Sequence, residues 1–283
     1  MADRTYAEAA ALLGYDPRAH DDERSLRSTT HVQIGLFLCG VASSRALGAQ
    51  GIWPDIVAGH SVGAFAAAVT AGAVAFDDAL RAVRVRGQAM EELFPNGYGM
   101  GVCVGVALAD VRAVVAHAYQ CGERVYIANV NAAAQIVVSG TLDAIDAVLS
   151  QCRALGARRA ERLPVAVPSH CELMEPVARA VREALHGVPF DRPRGTYVSS
   201  MRAAILRHAP EVRDDLSEGV RNAVRWEESA RLMLELGARL GIEAVPGRVL
   251  TDLWEAHHRF RAEAMDGSRI DSIVALARRY RTA

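Results

Sequence analysis

Five consecutive residues, Gly59-His60-Ser61-Val62-Gly63, have the types and spacing that expose a serine hydroxyl on a tight turn. A short apolar run, Asp55 to Ala58, precedes them, and the Ala-rich stretch Val62 to Gly72 follows. Strand, sharp turn and buried helix form the context in which a Gly-x-Ser-x-Gly string presents a nucleophile. Outside that context the same string arises by chance in a chain this rich in Gly and Ala. The turn calls for small residues on both sides, because its central residue is held in a strained conformation. Ser61 then stands at a helix N-terminus, where backbone N–H groups, beginning with that of Val62, can stabilise an oxyanion. A serine of ordinary acidity also needs a base. Of nine histidines, His170 is the best placed, since it follows the apolar run Leu163 to Val167 and the turn Pro168-Ser169, at a strand end where sites collect. His257, His258, His208, His186 and His117 sit in polar surroundings and read as solvated, and His60 reads as shaping the turn. Cys171 is a rival nucleophile by position, but a small buried thiol suits its neighbours better.

Helical geometry singles out a third group. Stepping about 100° per residue from Phe76 to Leu93 places Asp77, Asp78, Arg81, Arg84, Gln88, Glu91 and Glu92 in one sector. Ala79, Ala82, Val83, Gly87, Met90 and Leu93 fall in the opposite one. Arg86 falls in the middle of the apolar sector. A guanidinium there stays charged and costs several kcal/mol if unpaired, so it requires an anion. An internal Asp or Glu would serve, and so would a substrate carboxylate held by two parallel hydrogen bonds.

The elements that must carry these groups follow from changes of hydrophobic period. Val32 to Leu47 reads as an apolar-rich helix, and Phe76 to Leu93 as an amphipathic one, opened by Asp77 and Asp78 and stopped by Pro95-Asn96-Gly97. Then come a strand at Met100 to Val106, a helix at Leu108 to Ala118, and strands at Val125 to Val130 and Gln135 to Val138. A helix at Leu142 to Leu155 and a strand at Arg162 to Val167 complete the order β-α-β-β-α-β, the ferredoxin-like unit. Beyond it lie a helix from Glu175 to Leu185, a strand at Thr196 to Ser199, a helix from Trp226 to Leu240 and a strand at Ala244-Val245. The fold class expected is α/β: a larger α/β-hydrolase-like domain with a parallel-type sheet, residues 1–97 and 168–283, interrupted by a ferredoxin-like α+β small domain, residues 98–167.

Composition narrows the chemistry. With 283 residues, 51% hydrophobic and 23% charged, the chain has the make-up of a globular protein. Thirty-two basic residues against 33 acidic ones give a net charge of −1, so no bulk field gathers nucleic acid or an anionic membrane. All the basic residues are Arg, which excludes a Schiff-base lysine and the phosphate-loop lysine. Five scattered cysteines suit reduced thiols in a cytoplasmic setting, the N-terminus lacks a signal-peptide pattern, and the charge-free stretch His60 to Phe76 falls short of the roughly 20 residues a membrane span needs. Neither a metal nor a permanently bound cofactor is expected.

These blocks, in this order, resemble the malonyl-CoA:acyl-carrier-protein transacylase family. Gly59-His60-Ser61-Val62-Gly63, Val83-Arg84-Val85-Arg86-Gly87 and Val167-Pro168-Ser169-His170-Cys171 carry the likeness. It continues through Ala128-Asn129-Val130-Asn131, Gln135 to Gly140, Ala223-Val224-Arg225-Trp226 and Pro246 to Thr251, and so covers nearly the whole chain. Gly-His-Ser-Val-Gly-Ala-Phe and Gly97-Tyr98-Gly99-Met100 are most similar to the epsilon subunit of bacterial malonate decarboxylase. The resemblance implies a Ser-His dyad without a third carboxylate: Ser61 takes a malonyl group from malonyl-CoA, and His170 moves the protons. The acyl group then passes to the phosphopantetheine-type thiol of an acyl carrier protein, by the narrower match the carrier subunit of malonate decarboxylase.

By the same resemblance Arg86 binds the malonyl carboxylate, Gln33 lines the pocket, the Val62 N–H is an oxyanion donor, and a backbone carbonyl near Gly219 orients His170. The family also opens with an apolar strand and a Gly-Gln-Gly loop supplying a second oxyanion donor. No such segment precedes Thr5 to Leu13: a true start here implies a sheet short of one strand and an oxyanion hole with the Val62 donor alone, and a misassigned start codon or a shortened form of a longer chain is the alternative. Two other readings compete: a serine hydrolase or thioesterase using Ser61, and a catalytically impaired subunit that docks the carrier. An acidic carrier would meet arginines at the cleft mouth, with Arg153, Arg158 and Arg159 as candidates.

Overall fold

The computed structural model describes residues 2–255 and 260–282; His257 and His258 lie outside the described residues. The chain opens with α1 (Ala2–Leu13), packed on the long apolar α2 (Thr29–Gly48). Strand β1 (Ile56–Ala58) leads into α3 (Gly63–Thr70) and then α4 (Phe76–Leu93). The bounds of α4 are those its end signals predict: acids in the first turn and Gly97 in a left-handed turn just beyond. Its apolar sector is buried, Arg86 included. Leu93 departs from that sector and is exposed, burial passing to Phe94. Gly87 lets α4 approach α2, for a Cβ there would lie 2.6 Å from Thr30 Cα. Glu91, expected in the polar sector, accepts hydrogen bonds from the Thr30 N–H and from the hydroxyls of Ser28 and Thr30, and so fastens α4 to the start of α2.

From residue 98 the chain forms β2 (Tyr98–Val104), α5 (Leu108–Gln120), β3 (Val125–Ala132), β4 (Gln135–Thr141), α6 (Leu142–Ala154) and β5 (Arg159–Arg162). The four strands make one antiparallel sheet in the order β3-β4-β2-β5. Helices α5 and α6 contribute to a core on Cys103, Ile136, Val138, Ile145 and Leu149. A second cluster holds Met100, Val102, Ala128 and Val137. The strand expected at Arg162 to Val167 lies earlier, at Arg159–Arg162. Pro164 and Pro168 have no N–H to offer a ladder, so the apolar run between them stays irregular while the polar Arg-Ala-Glu-Arg segment pairs at the edge.

The remainder comprises α7 (Glu175–Ala184), β6 (Thr196–Ser199), β7 (Ala204–Leu206), α8 (Ala209–Glu218), α9 (Trp226–Glu235), β8 (Leu240–Glu243), α10 (Val249–Glu255), β9 (Arg261–Ala264) and α11 (Ile270–Thr282). Strand β6 pairs in parallel with β1, Ala58 opposite Val198, and antiparallel with β7. The sheet expected to be parallel is therefore mixed, because the chain turns back at once after β6. Strands β8 and β9 pair in a separate two-stranded sheet. The strand expected at Ala244-Val245 starts sooner because Gly237, in a left-handed conformation, ends the preceding helical segment. The main core gathers Phe37, Leu38, Phe65, Leu80, Met174 and Tyr197. Among the described residues no helix is long and apolar enough to cross a membrane. The C-terminal ends of β1 and β6 open onto the site.

Candidate active site

Ser61 sits where β1 ends and α3 begins. A Cβ on Gly59 would lie 2.1 Å from the Gly63 carbonyl carbon, so only glycine fits there. Nothing lies within 4 Å of a Cβ on Gly63, so the second glycine of the motif is not demanded by space. The Gly63 N–H donates to the His60 carbonyl and the Ala64 N–H to that of Ser61, each at 3.0 Å. The Val62 N–H, at the N-cap of α3, takes no part in these turn bonds. Among the described residues only three non-glycine residues have positive φ, and two of them are Ser61 (54°) and His170 (65°). Such conformations are costly and persist where the surrounding structure forces them, characteristically at sites.

The two strained residues, 109 positions apart, meet: His170 Nε2 lies 2.7 Å from Ser61 Oγ. Nδ1 faces two backbone carbonyls, Gly219 at 2.9 Å and Asn222 at 3.2 Å. Carbonyls only accept, so Nδ1 carries the hydrogen and Nε2 is the lone pair that takes the Ser61 O–H. The His170 N–H donates to the Val220 carbonyl at 2.8 Å, holding the loop to the same segment. Among the described residues none of the hydrogen-bond partners of His170 is a carboxylate. The Gly219 carbonyl is where the family resemblance implies it; the Asn222 carbonyl is one that sequence reasoning missed, since a backbone group leaves no side-chain signal.

Arg86 approaches Ser61 from the other side, with Nη2 3.2 Å from Oγ. Its Nη1 donates to Gln33 Oε1, and Gln33 Nε2 donates to Met90 Sδ at 3.0 Å, so both residues are locked. Arg86 is 3% exposed and Gln33 5%. Of the two anions considered for Arg86, no internal acid is present: no carboxylate of the described residues comes within ion-pair distance. Burial lowers the guanidinium pKa to about 10, which leaves it charged at neutral pH. His170 is pushed down to about 3, first by burial, then by the Arg86 charge and by His60, against the two carbonyls that favour its protonation. The imidazole is therefore neutral and able to accept a proton.

Cys171 is buried, its Sγ donating to the Pro168 carbonyl at 3.1 Å, and burial raises its pKa. Among the described residues the hydrogen bonds of Ser61 Oγ and of the His170 ring go to other partners than this thiol. His60 turns from the dyad to Asn131 Oδ1 at 3.0 Å and lies against the Trp226 ring. Asn131 belongs to a block singled out in the sequence but given no role there. Strand β3 is also tied to the carbonyl-bearing segment, with Val130 N–H to Val224 O and Val224 N–H to Ala128 O, each 2.8 Å. Arg153, Arg158 and Arg159 are exposed; Arg153 donates to the Ala160 carbonyl and Arg159 pairs with Glu161. Among the described residues no cluster of three or more His, Cys, Asp or Glu could hold a metal.

The family model of the acyl transferase domain matches residues 18–279. The chain belongs to the acyl transferase domain family. The acyltransferase is 35% identical over 258 residues to the malonyl CoA-acyl carrier protein transacylase of Escherichia coli K12, a match spanning 89% of this chain and 83% of that protein. Its fold is similar to that of FabD from Acinetobacter baumannii, with TM-score 0.94 at 27% identity over 99% of this chain and 90% of that one. It is also similar to a malonyl-transacylase solved in complex with its type II PKS acyl-carrier protein, with TM-score 0.89 at 35% identity over 94% of this chain and 87% of that one. The mixed α/β architecture is thus that of solved transacylases, and the Ser61-His170-Arg86 constellation stands in an acyltransferase.

Proposed function

We propose that this acyltransferase moves a malonyl group from malonyl-CoA to the thiol of an acyl carrier protein. The observation that carries this reading is a buried, charged Arg86 that has no acidic partner among the described residues and lies 3.2 Å from the Ser61 hydroxyl. A thioester ending in a carboxylate supplies the missing anion while bringing its carbonyl to Oγ. Ser61 Oγ attacks that carbonyl as His170 Nε2 takes its proton, and the Val62 N–H steadies the oxyanion. Collapse breaks the C–S bond, and the proton on Nε2 leaves with the CoA thiolate. The carrier thiol then gives its proton to His170 and attacks the seryl ester, and Ser61 recovers the proton as the acyl group departs. Throughout, the Gly219 and Asn222 carbonyls hold the Nδ1–H, and Gln33 holds Arg86 in register.

Residues 98–167 act in this reading as a ferredoxin-like small domain over a discontinuous large domain of residues 1–97 and 168–283. The βαββαβ order and the antiparallel pairing support that division. For the acceptor we propose the carrier subunit of malonate decarboxylase, on the strength of the Gly59–Phe65 and Gly97–Met100 strings. Five free cysteines suit a cytoplasmic enzyme. The test is the fate of the acyl group: with malonyl-CoA and a thiol-bearing carrier, malonyl-carrier forms and Ser61→Ala abolishes it. Release of free malonate at the same rate with and without carrier would instead make the protein a hydrolase. Parallel assays with a malonate decarboxylase carrier and a fatty-acid-type carrier decide the acceptor by their kcat/KM ratio.

A further inference from the structure

Helix α8 carries a buried acid that the mechanism above does not use. Asp215 is 3% exposed and lines the same cavity as Ser61, Arg86 and His170. No basic side chain among the described residues forms an ion pair with it. Its carboxylate instead gathers two hydroxyls from β6: Tyr197 donates to Oδ2 at 2.9 Å and Ser199 donates to Oδ1. Both donors are fully buried, and Ser199 Oγ also accepts the Arg202 N–H at 2.9 Å. Burial raises the carboxyl pKa against the pull of these donors.

Packing alone does not require an acid there. Val212 and Leu216 on the same helix already bury fully against the core, and a buried carboxylate without a cation is expensive. What two directional hydrogen bonds add is register. Asp215 stands one helical turn before Gly219, and its backbone carbonyl accepts the Gly219 N–H at 3.0 Å. A Cβ on Gly219 would come within 2.9 Å of that carbonyl, so the turn is closed tightly. Rotating α8 by one residue, about 100°, would carry the Gly219 carbonyl away from His170 Nδ1. The same Tyr197 hydroxyl lies 3.4 Å from the Ala64 carbonyl in α3, the helix that follows Ser61.

We propose that Asp215 is a positioning residue for the transfer reaction: by holding the Tyr197 and Ser199 hydroxyls it fixes the end of α8 whose Gly219 carbonyl orients His170. This rests on the reading of His170 as the base. Asp215→Leu keeps the branched side-chain skeleton, with bulkier ends, and removes both acceptors; Tyr197→Phe removes one hydroxyl from the same network without adding bulk and carries the test should the first variant not fold. The expected result is a kcat for malonyl transfer at least tenfold lower in Asp215→Leu and about threefold lower in Tyr197→Phe, with KM for malonyl-CoA within twofold. In a His170→Ala background either change should alter the residual rate of Ser61 acylation by less than twofold. Nitrogen-15 spectra of the unliganded protein provide a readout free of activity: the His170 Nδ1–H resonance should shift and exchange faster in both variants. Unchanged kcat and an unmoved resonance in a folded variant would overturn the proposal. So would an equal fold-loss with and without His170, which marks a general structural role. If wild-type protein itself transfers no malonyl group, the proposed function fails, whereas the resonance still reports on Asp215.

Discussion

Replacing Arg86 by Ala should exchange a malonyl enzyme for one that no longer distinguishes malonyl from acetyl. The guanidinium is 3% exposed and, among the described residues, has no carboxylate within ion-pair distance, so in the proposed reading its charge is available to the substrate. Truncating one partner of a buried, hydrogen-bonded charge pair costs about 2–5 kcal/mol. At 1.36 kcal/mol per tenfold, kcat/KM for malonyl-CoA should fall by about 30- to 5,000-fold. Acetyl-CoA has no carboxylate to lose, and in the wild type it leaves Arg86 desolvated and unmatched. Its kcat/KM should hold or rise in the variant. The chemical step survives because burial, the first cause of the low His170 pKa, remains after the Arg86 charge is gone, so the imidazole is still neutral at pH 7.5. The assay is steady-state transfer to a carrier thiol from each CoA ester, with folding checked by thermal melting. Equal losses with both esters would instead make Arg86 a structural residue.

The kcat/KM for acetyl-CoA, which brings no titrating carboxyl of its own, should stay flat down to well below pH 6, since free-enzyme His170 takes its proton only near pH 3; an acid limb centred near 6.5 would contradict this. The unfolded chain binds that proton near 6.5, so the histidine's contribution to stability is intact above 6.5 and is lost as pH falls from 6.5 toward 3. Urea melts of wild type and His170→Gln across that window should therefore converge at low pH, and parallel curves would count against the shift. Gly59→Ala should abolish the folded elbow, with its Cβ 2.1 Å from the Gly63 carbonyl carbon, whereas Gly63→Ala should melt no lower than wild type and gain up to about 1 kcal/mol of helix propensity. A destabilised Gly63→Ala would show that the second motif glycine has a conformational duty.

Much of the site was legible because its signals are local. The elbow string between an apolar run and an Ala-rich stretch located Ser61, and period arithmetic put Arg86 on a buried face. Helix α4 was readable to the residue because both ends carry chemical signals, acids in the first turn and Pro-Asn-Gly after the last. The meeting of Ser61 with His170 across 109 residues has no trace in spacing: position at the end of an apolar run singled out His170 as a base, and the ordered family blocks paired it with Ser61. The edge strand Arg159–Arg162 was misplaced because backbone pairing, not apolar alternation, defines it. Strand β7 and helix α8 went unread because Arg202 to Glu218 is short-period and charged, and Asp215 among those charges looks like any solvated acid. What a side chain is buried against is decided by tertiary contacts that no window of sequence contains.

In the proposed function Ser61, served by His170 and Arg86, becomes acylated by a carboxylate-ended thioester. Intact-protein mass spectrometry after mixing with malonyl-CoA, without any carrier, tests it most directly. One added malonyl group per chain is expected, mapped by digestion to the peptide containing Ser61 and absent in Ser61→Ala. No adduct on folded protein, or an adduct at Cys171 that persists in Ser61→Ala, would contradict it.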